Sequence, residues 1–356
     1  MGTLIGYGLL FAAHFLIAPS PVLAIFLLYF SRVLAGTTGG NISVAVAYIA
    51  DIMPAEQRAK GMGLIGAAFG LEFVFGPFIG GVVGKHLGLQ YVPVAAACFS
   101  ISALAGTVLF LRESLHPEMR SQARRQSYAT VFHAVLDRLF GIRHALRRPT
   151  IGALIWILFV NGFAFAGMEQ TFSLLIQERA RLNESDASGA SGYLFGAIGI
   201  LIVIIQGGLI GRLTRQFGER LLVQVGPVLI AGGLALVGVA GDYGLPVWTT
   251  LACGAALLAV GSSLFNPSMQ GLISRHAAES EQGEIMGAAQ GMASLARGVG
   301  PLLAGFLYYR FSSGMPYFAS AAICLVVALW SLAMGHRLNP PPVPEPPGGF
   351  PVESAK

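Results

Sequence analysis

Two ionisable side chains stand where ions are rare: Arg32 inside an apolar run at 22–50, and Glu72 inside another at 60–83. A lone charge in hydrocarbon costs at least about 3 kcal/mol, so such a residue turns to the protein interior and takes a partner. Counted from the turn at Pro54, the two positions differ in depth by about 6 Å, at roughly 1.5 Å per helical residue. This spacing predicts an Arg32–Glu72 pair. Its chemistry would be proton carriage by a carboxyl group, with burial raising its pKa and the guanidinium opposing that shift; a purely structural ion pair fits the same spacing. Asn161 and Glu169, on one face of the run at 150–176, and Gln206, Asn266 and Gln270 in later runs are polar residues suited to line a solute cavity. They are equally suited to hydrogen-bond helix to helix. Asp51 and Arg58 flank a tight turn and would pair across it, holding one conformation closed, provided the setting is buried: an exposed pair is worth only about 0–1 kcal/mol. Arg297 lacks an obvious partner within its own run, and His14 reads as a packing residue.

The elements that must position these residues follow from composition. Of 356 residues, 54% are hydrophobic and 11% charged, against about 25% charged in a soluble domain. So few ionic groups cannot cover a water-exposed surface, and lipid must be the solvent. The net charge of +5 does not indicate nucleic acid, because the basic residues sit in short loops between apolar runs, as membrane topology requires. Ten runs approach or exceed the ~20 residues of a spanning helix: 3–18, 22–50, 60–83, 91–111, 150–176, 191–211, 220–240, 246–273, 283–308 and 315–335. They are continuous, unlike the short alternating strands of a membrane barrel. Most Lys and Arg fall on one side, including Arg58, Lys60, the arginines of 112–148, Arg212, Arg215, Arg220 and Arg275, while Lys85, Arg179, Arg181 and Arg310 lie opposite. The positive-inside rule then puts both termini in the cytoplasm of a cell-membrane protein.

The expected organisation is an incomplete four-helix bundle at 1–111, a basic linker at 112–149, a six-helix bundle at 150–338 and a Pro-rich disordered tail at 339–356. Within the linker, Val131 to Leu146 has apolar residues at helical spacing among basic ones, suiting either the leaflet surface or a solvated linker helix. The first run has no basic segment before it and reads as a mature span rather than a signal peptide. Cys98, Cys253 and Cys324 lie singly in apolar stretches and read as packing residues. No metal-ligand cluster, nucleotide-binding glycine loop or nucleophile–base set stands out. Covalent catalysis and a bound cofactor are therefore not expected, and energy must come from an ion gradient.

Glu56-Gln57 followed by Gly76-Pro77-Phe78-Ile79-Gly80-Gly81 is echoed by Glu281-Gln282 followed by Gly300-Pro301-Leu302-Leu303-Ala304-Gly305. Such a repeat in corresponding helices indicates two related bundles. Phe30-Ser31-Arg32-Val33-Leu34-Ala35-Gly36, followed by Ala47-Tyr48-Ile49-Ala50-Asp51-Ile52, resembles the fourth helix of the drug:proton antiporters of the major facilitator class, close to the tetracycline efflux proteins. Gly63, Gly76, Pro77, Gly80 and Gly81 match the antiporter motif of that group's fifth helix, with Glu72 where a second glycine is usual. Gly211 to Arg220 is similar to the C-terminal copy of the cytoplasmic loop motif, and the resemblance gives Gly211, Arg215, Gly218 and Arg220 a gating role, although Arg215 replaces an acidic residue. Gly167 to Phe172, which includes Glu169, resembles a cavity-lining segment. The resemblance implies an all-α major-facilitator-type membrane protein corresponding to family helices three to twelve, without the first two. It further implies a monomer that exports small amphipathic molecules or drugs in exchange for protons. A truncated, non-transporting fragment, or a carrier of another small solute, is the competing reading.

Overall fold

Long apolar runs fold as helices because only an intrahelical ladder satisfies every backbone N–H and C=O away from water. A computed structural model describes residues 2–38, 75–111, 144–277 and 281–338, together with the single positions 45, 48, 52, 68, 71 and 72. The regular elements among them are all helical. They are α1 (Gly2–Leu16), α2 (Pro21–Thr38), α3 (75–86), α4 (Val92–Phe110), α5 (Pro149–Arg179), α6 (Glu184–Ile204), α7 (Ile210–Gly238), α8 (Val247–His276), α9 (Gln282–Arg310) and α10 (Met315–Met334). Among the described residues, five stretches, Leu89–Phe110, Pro149–Arg179, Glu184–Gly238, Val247–His276 and Met315–Met334, are long and apolar enough to cross a membrane. The Asp51–Arg58 turn, Gly63, nearly all of the basic stretch at 131–146 and the Pro-rich tail lie outside the described residues.

The largest departure from the hydropathy reading is at α6. It starts at Glu184, ahead of the apolar run, because Asn183 caps it: its side-chain oxygen accepts from the Asp186 backbone N–H at 2.8 Å. The helix then passes through a π-helical turn at Ile205–Leu209 into α7. Gly218, at φ 76° and ψ 154°, breaks α7 in a conformation that only glycine adopts readily.

Packing concentrates in the C-terminal half. α5 lies against α9 and α10, α7 against α8 and α10, and α6 against α5 and α8, while α1 packs on α2 and α4. The contiguous buried core is drawn from residues 145–338, with Leu154, Phe172, Ile230, Phe265 and Tyr317 fully buried. α4 contributes no buried residue.

Small residues set the closest crossings, as in lipid, where packing rather than water exclusion holds helices together. A Cβ on Gly226 would lie 2.9 Å from the Gly261 carbonyl oxygen, and one on Gly233 would lie 2.7 Å from that of Gly254, so α7 and α8 touch backbone to backbone twice. A Cβ on Gly300 would lie 2.5 Å from the Phe163 carbonyl oxygen, bringing α9 equally close to α5.

Ion pairs tie the helix ends. Arg148, just before α5, holds Glu281, just before α9, through two contacts of 2.6 Å. Their mutual hydrogen bond holds the Glu281 carboxyl below its ordinary range and raises the guanidinium. At the same end Arg275 of α8 reaches Glu219 of α7 at 3.4 Å. At the opposite end, Glu178 accepts from Ser313 at 2.8 Å and from Tyr308 at 3.1 Å, and Arg179 pairs with Asp242.

Candidate functional site

A cavity of about 770 Å³ opens between the N-terminal helices α1–α4 and the C-terminal helices α5 and α6. Apolar walls come from residues such as Leu10, Leu28 and Phe195, and its charged groups are Arg32 on one side and Glu169 on the other. Gly76, Pro77, Gly80 and Gly81 of α3 line it, as do His14, Gln90, Gln170 and Ser173. Chain-distant residues that the sequence singled out for separate roles, Arg32, Glu169 and the glycine–proline motif, are therefore brought to one space. His14 is not packed in an interior: it is exposed toward the cavity, its ring edge-on to Phe15 at 5.6 Å.

Other residues fall elsewhere. Arg32 and Glu72 are both exposed and, among the described residues, form no ion pair with each other. Glu72 instead lies within electrostatic range of Glu169, as does Arg297. Depth along two helices does not fix which faces meet. Arg297 reaches Ser294 Oγ, one turn back on α9, at 3.4 Å. Asn161 does not line this cavity. It is buried between α5 and α10, where the Cys324 thiol donates to its Oδ1 at 3.8 Å. Gln206 sits half-buried in the π-helical turn, and Asn266 and Gln270 are exposed one turn apart on α8; none of the three lines this cavity.

Beside the cavity, α3 and α6 meet in a seam. A Cβ on Gly81 would lie 2.6 Å from the Gly192 Cα, and one on Gly192 would lie 3.1 Å from the Pro77 carbonyl oxygen. Pro77 lacks an N–H and cannot donate to the helix ladder, which makes this a natural place for α3 to bend. The seam ends in polar contacts: Lys85 Nζ lies 3.5 Å from Asp186 Oδ1, and Ser185 Oγ donates to the Lys85 carbonyl at 3.1 Å. A side chain at Gly189 would strike the Lys85 methylenes at 2.5 Å, so that glycine leaves the lysine its path across α6.

In the segment 211–220, Gly218 makes the break in α7, and Arg215 Nε donates to the Gly211 carbonyl at 3.2 Å. The carboxylate that binds across helices is Glu219, whose side chain is largely buried against Gly271 and paired with Arg275. Sequence reasoning passed over Glu219, Lys85–Asp186 and Arg148–Glu281. Two signals were available. Asn183 with Asp186 three residues on is a helix N-terminal pattern, and Glu281 was visible in the internal repeat.

The family model described as Major Facilitator Superfamily matches residues 1–254 and 209–355. The mouse Major facilitator superfamily domain-containing protein 10 is 28% identical over 314 residues, covering 85% of this chain and 66% of that protein. The class C Tetracycline resistance protein of Escherichia coli is 28% identical over 316 residues, covering 87% and 74%. Among solved structures, the human organic anion transporter MFSD10 (TETRAN) aligns with a TM-score of 0.62 at 24% identity, over 92% of this chain and 76% of that one. The chain thus spans about two thirds of the length of the curated relatives it matches.

Proposed function

The chain belongs to the Major Facilitator Superfamily, and from that premise we propose that it is a secondary active carrier exporting small amphipathic solutes in exchange for protons, by alternating access. The observation that carries this reading is the cavity between the two halves, with Arg32 and Glu169 on facing walls and the Gly81–Gly192 seam beside it. Opposite charges in a largely apolar space suit a solute with a polar head and an apolar body, and a glycine seam that closes backbone to backbone is a surface that two rigid halves can part along. The organic anions named for one similar structure, and the tetracycline to which a bacterial relative is named as giving resistance, are small organic molecules of the kind this reading needs. The protein sits in the cell membrane as a monomer with both termini cytoplasmic.

Coupling rests on Arg32 and Glu72. In this proposal the two pair in a conformation other than the one described, where protonation of Glu72 would release Arg32 and permit the switch. The test is uptake of a fluorescent amphipathic dye into inverted vesicles carrying the purified chain, with an imposed proton gradient. Dye should accumulate only when the lumen is acid, and Glu72→Gln should abolish the dependence on the gradient. Accumulation indifferent to the gradient would overturn the coupling. If no solute moves under any gradient, the carrier reading itself fails.

A further inference from the structure

Resting on that carrier reading, we infer that the cavity selects amphoteric solutes, with an acidic group bound at Arg32 and a basic group at Glu169. Arg32 lies eleven residues into α2, about 16 Å along it at roughly 1.5 Å per residue. That depth is near the middle of a hydrocarbon layer about 30 Å thick. It lines the cavity, and among the described residues no hydrogen bond or ion pair claims its guanidinium. On the facing wall Glu169 is half-buried, with no hydrogen bond or ion pair to any described residue. Arg297 and Glu72 are the charged groups in electrostatic range of it. Of the charged groups that line the cavity, one is basic, Arg32 on α2, and one is acidic, Glu169 on α5. The lining thus offers a basic group on the α2 side and an acidic group on the α5 side.

A solute bearing one charge would satisfy one wall and strand the other, and a charge left unpaired near mid-membrane is costly. A solute bearing an acid and an amine satisfies both. Gln90 and Gln170 also line the cavity and give neutral donors and acceptors. Their amides place no further demand on the charge of a ligand. The polarity of the cavity therefore reads as a discriminator by charge pattern, with the apolar walls left to tolerate variation in the rest of the molecule.

The test uses three fluorescent probes on one skeleton, titrated against the purified chain in lipid nanodiscs: Nε-dansyl-lysine, which is amphoteric; its methyl ester, which is cationic; and its Nα-acetyl derivative, which is anionic. The amphoteric probe should bind about ten-fold more tightly than either of the others, the scale of one lost charge-assisted hydrogen bond. Arg32→Gln should lower affinity for the amphoteric and anionic probes and spare the ester. Glu169→Gln should lower affinity for the amphoteric and cationic probes and spare the acetyl derivative. Gel filtration and helical circular dichroism identify variants that retain the fold. If either variant fails to fold, the charge-reversing probe pair on the unaltered chain decides alone. Equal affinity for all three probes, or binding of none by the folded chain, overturns the selectivity. Proton-driven dye movement in the vesicle assay would persist in that event, and its separate loss would identify failure of the carrier reading.

Discussion

At the scale of single residues, the glycines of the α3 motif divide by what they face. A Cβ on Gly76 would meet nothing within 4 Å, and one on Gly80 would meet Val92 Cγ1 at an ordinary 3.8 Å, whereas one on Gly81 would strike the Gly192 backbone. Spacing shows a row of small residues; it does not show which of them touches another helix. Gly81→Ala should therefore force the α3–α6 seam apart, at about 1–3 kcal/mol for overpacking, and cut transport by ten-fold or more. Gly80→Ala should leave the seam closed and transport within about two-fold, following from ordinary contact; side-by-side flux measurements in vesicles decide it. Gly218 is a second obligatory glycine for a different reason, its backbone conformation. Gly218→Ala should destabilise the folded protein by about 1–3 kcal/mol, read as a lower midpoint of detergent-solubilised thermal unfolding. Legibility failed most clearly for Asn161 and Arg32. Both were recognisable as polar groups in apolar runs, but the face each one presents depends on how neighbouring helices rotate about their axes, which no single run encodes.

Among elements, the helices themselves were largely legible, because lipid imposes length and hydropathy directly. The exceptions had local causes: a polar first turn and an Asn183 cap extend α6 beyond its apolar run, and a π-helical turn links it to α7. The contacts between elements at their ends were not legible, since they join residues more than fifty positions apart. Lys85–Asp186 is the clearest case, latching α3 to α6 where the glycine seam ends. Asp186→Asn should shift the population toward the state with this seam open. Paired cysteines at Lys85 and Asp186 should cross-link readily and arrest transport until reduced. Failure of the cross-link to slow transport would mean that the seam does not open. The Arg148–Glu281 pair gives a prediction in pH. The carboxyl is held below its ordinary range in the fold, so its contribution is present above the unfolded-state value and is lost as pH falls through the depressed one. Acid should therefore loosen the α5–α9 end in the native chain, and Glu281→Gln should remove that part of the response, measurable by hydrogen exchange at the starts of the two helices.

For the whole molecule, burial is uneven. More than half of the α5 spanning window is buried and none of that of α4, and the contiguous core belongs to residues 145–338. Hydrogen exchange in nanodiscs should accordingly protect α5, α8 and α10 most strongly, with α4 exchanging at least ten-fold faster, a spread expected when local opening free energies differ by more than about 1.4 kcal/mol. The two antiparallel contacts between α7 and α8 constrain how such a molecule can change shape. Gly226 against Gly261 and Gly233 against Gly254 fix two points along one line, so a shift of either helix along its axis by even a single residue would drive a neighbouring side chain into the facing main chain. That hairpin must travel as a unit, and a pair of spin labels placed across it should report one unchanging separation whichever side of the membrane the cavity faces.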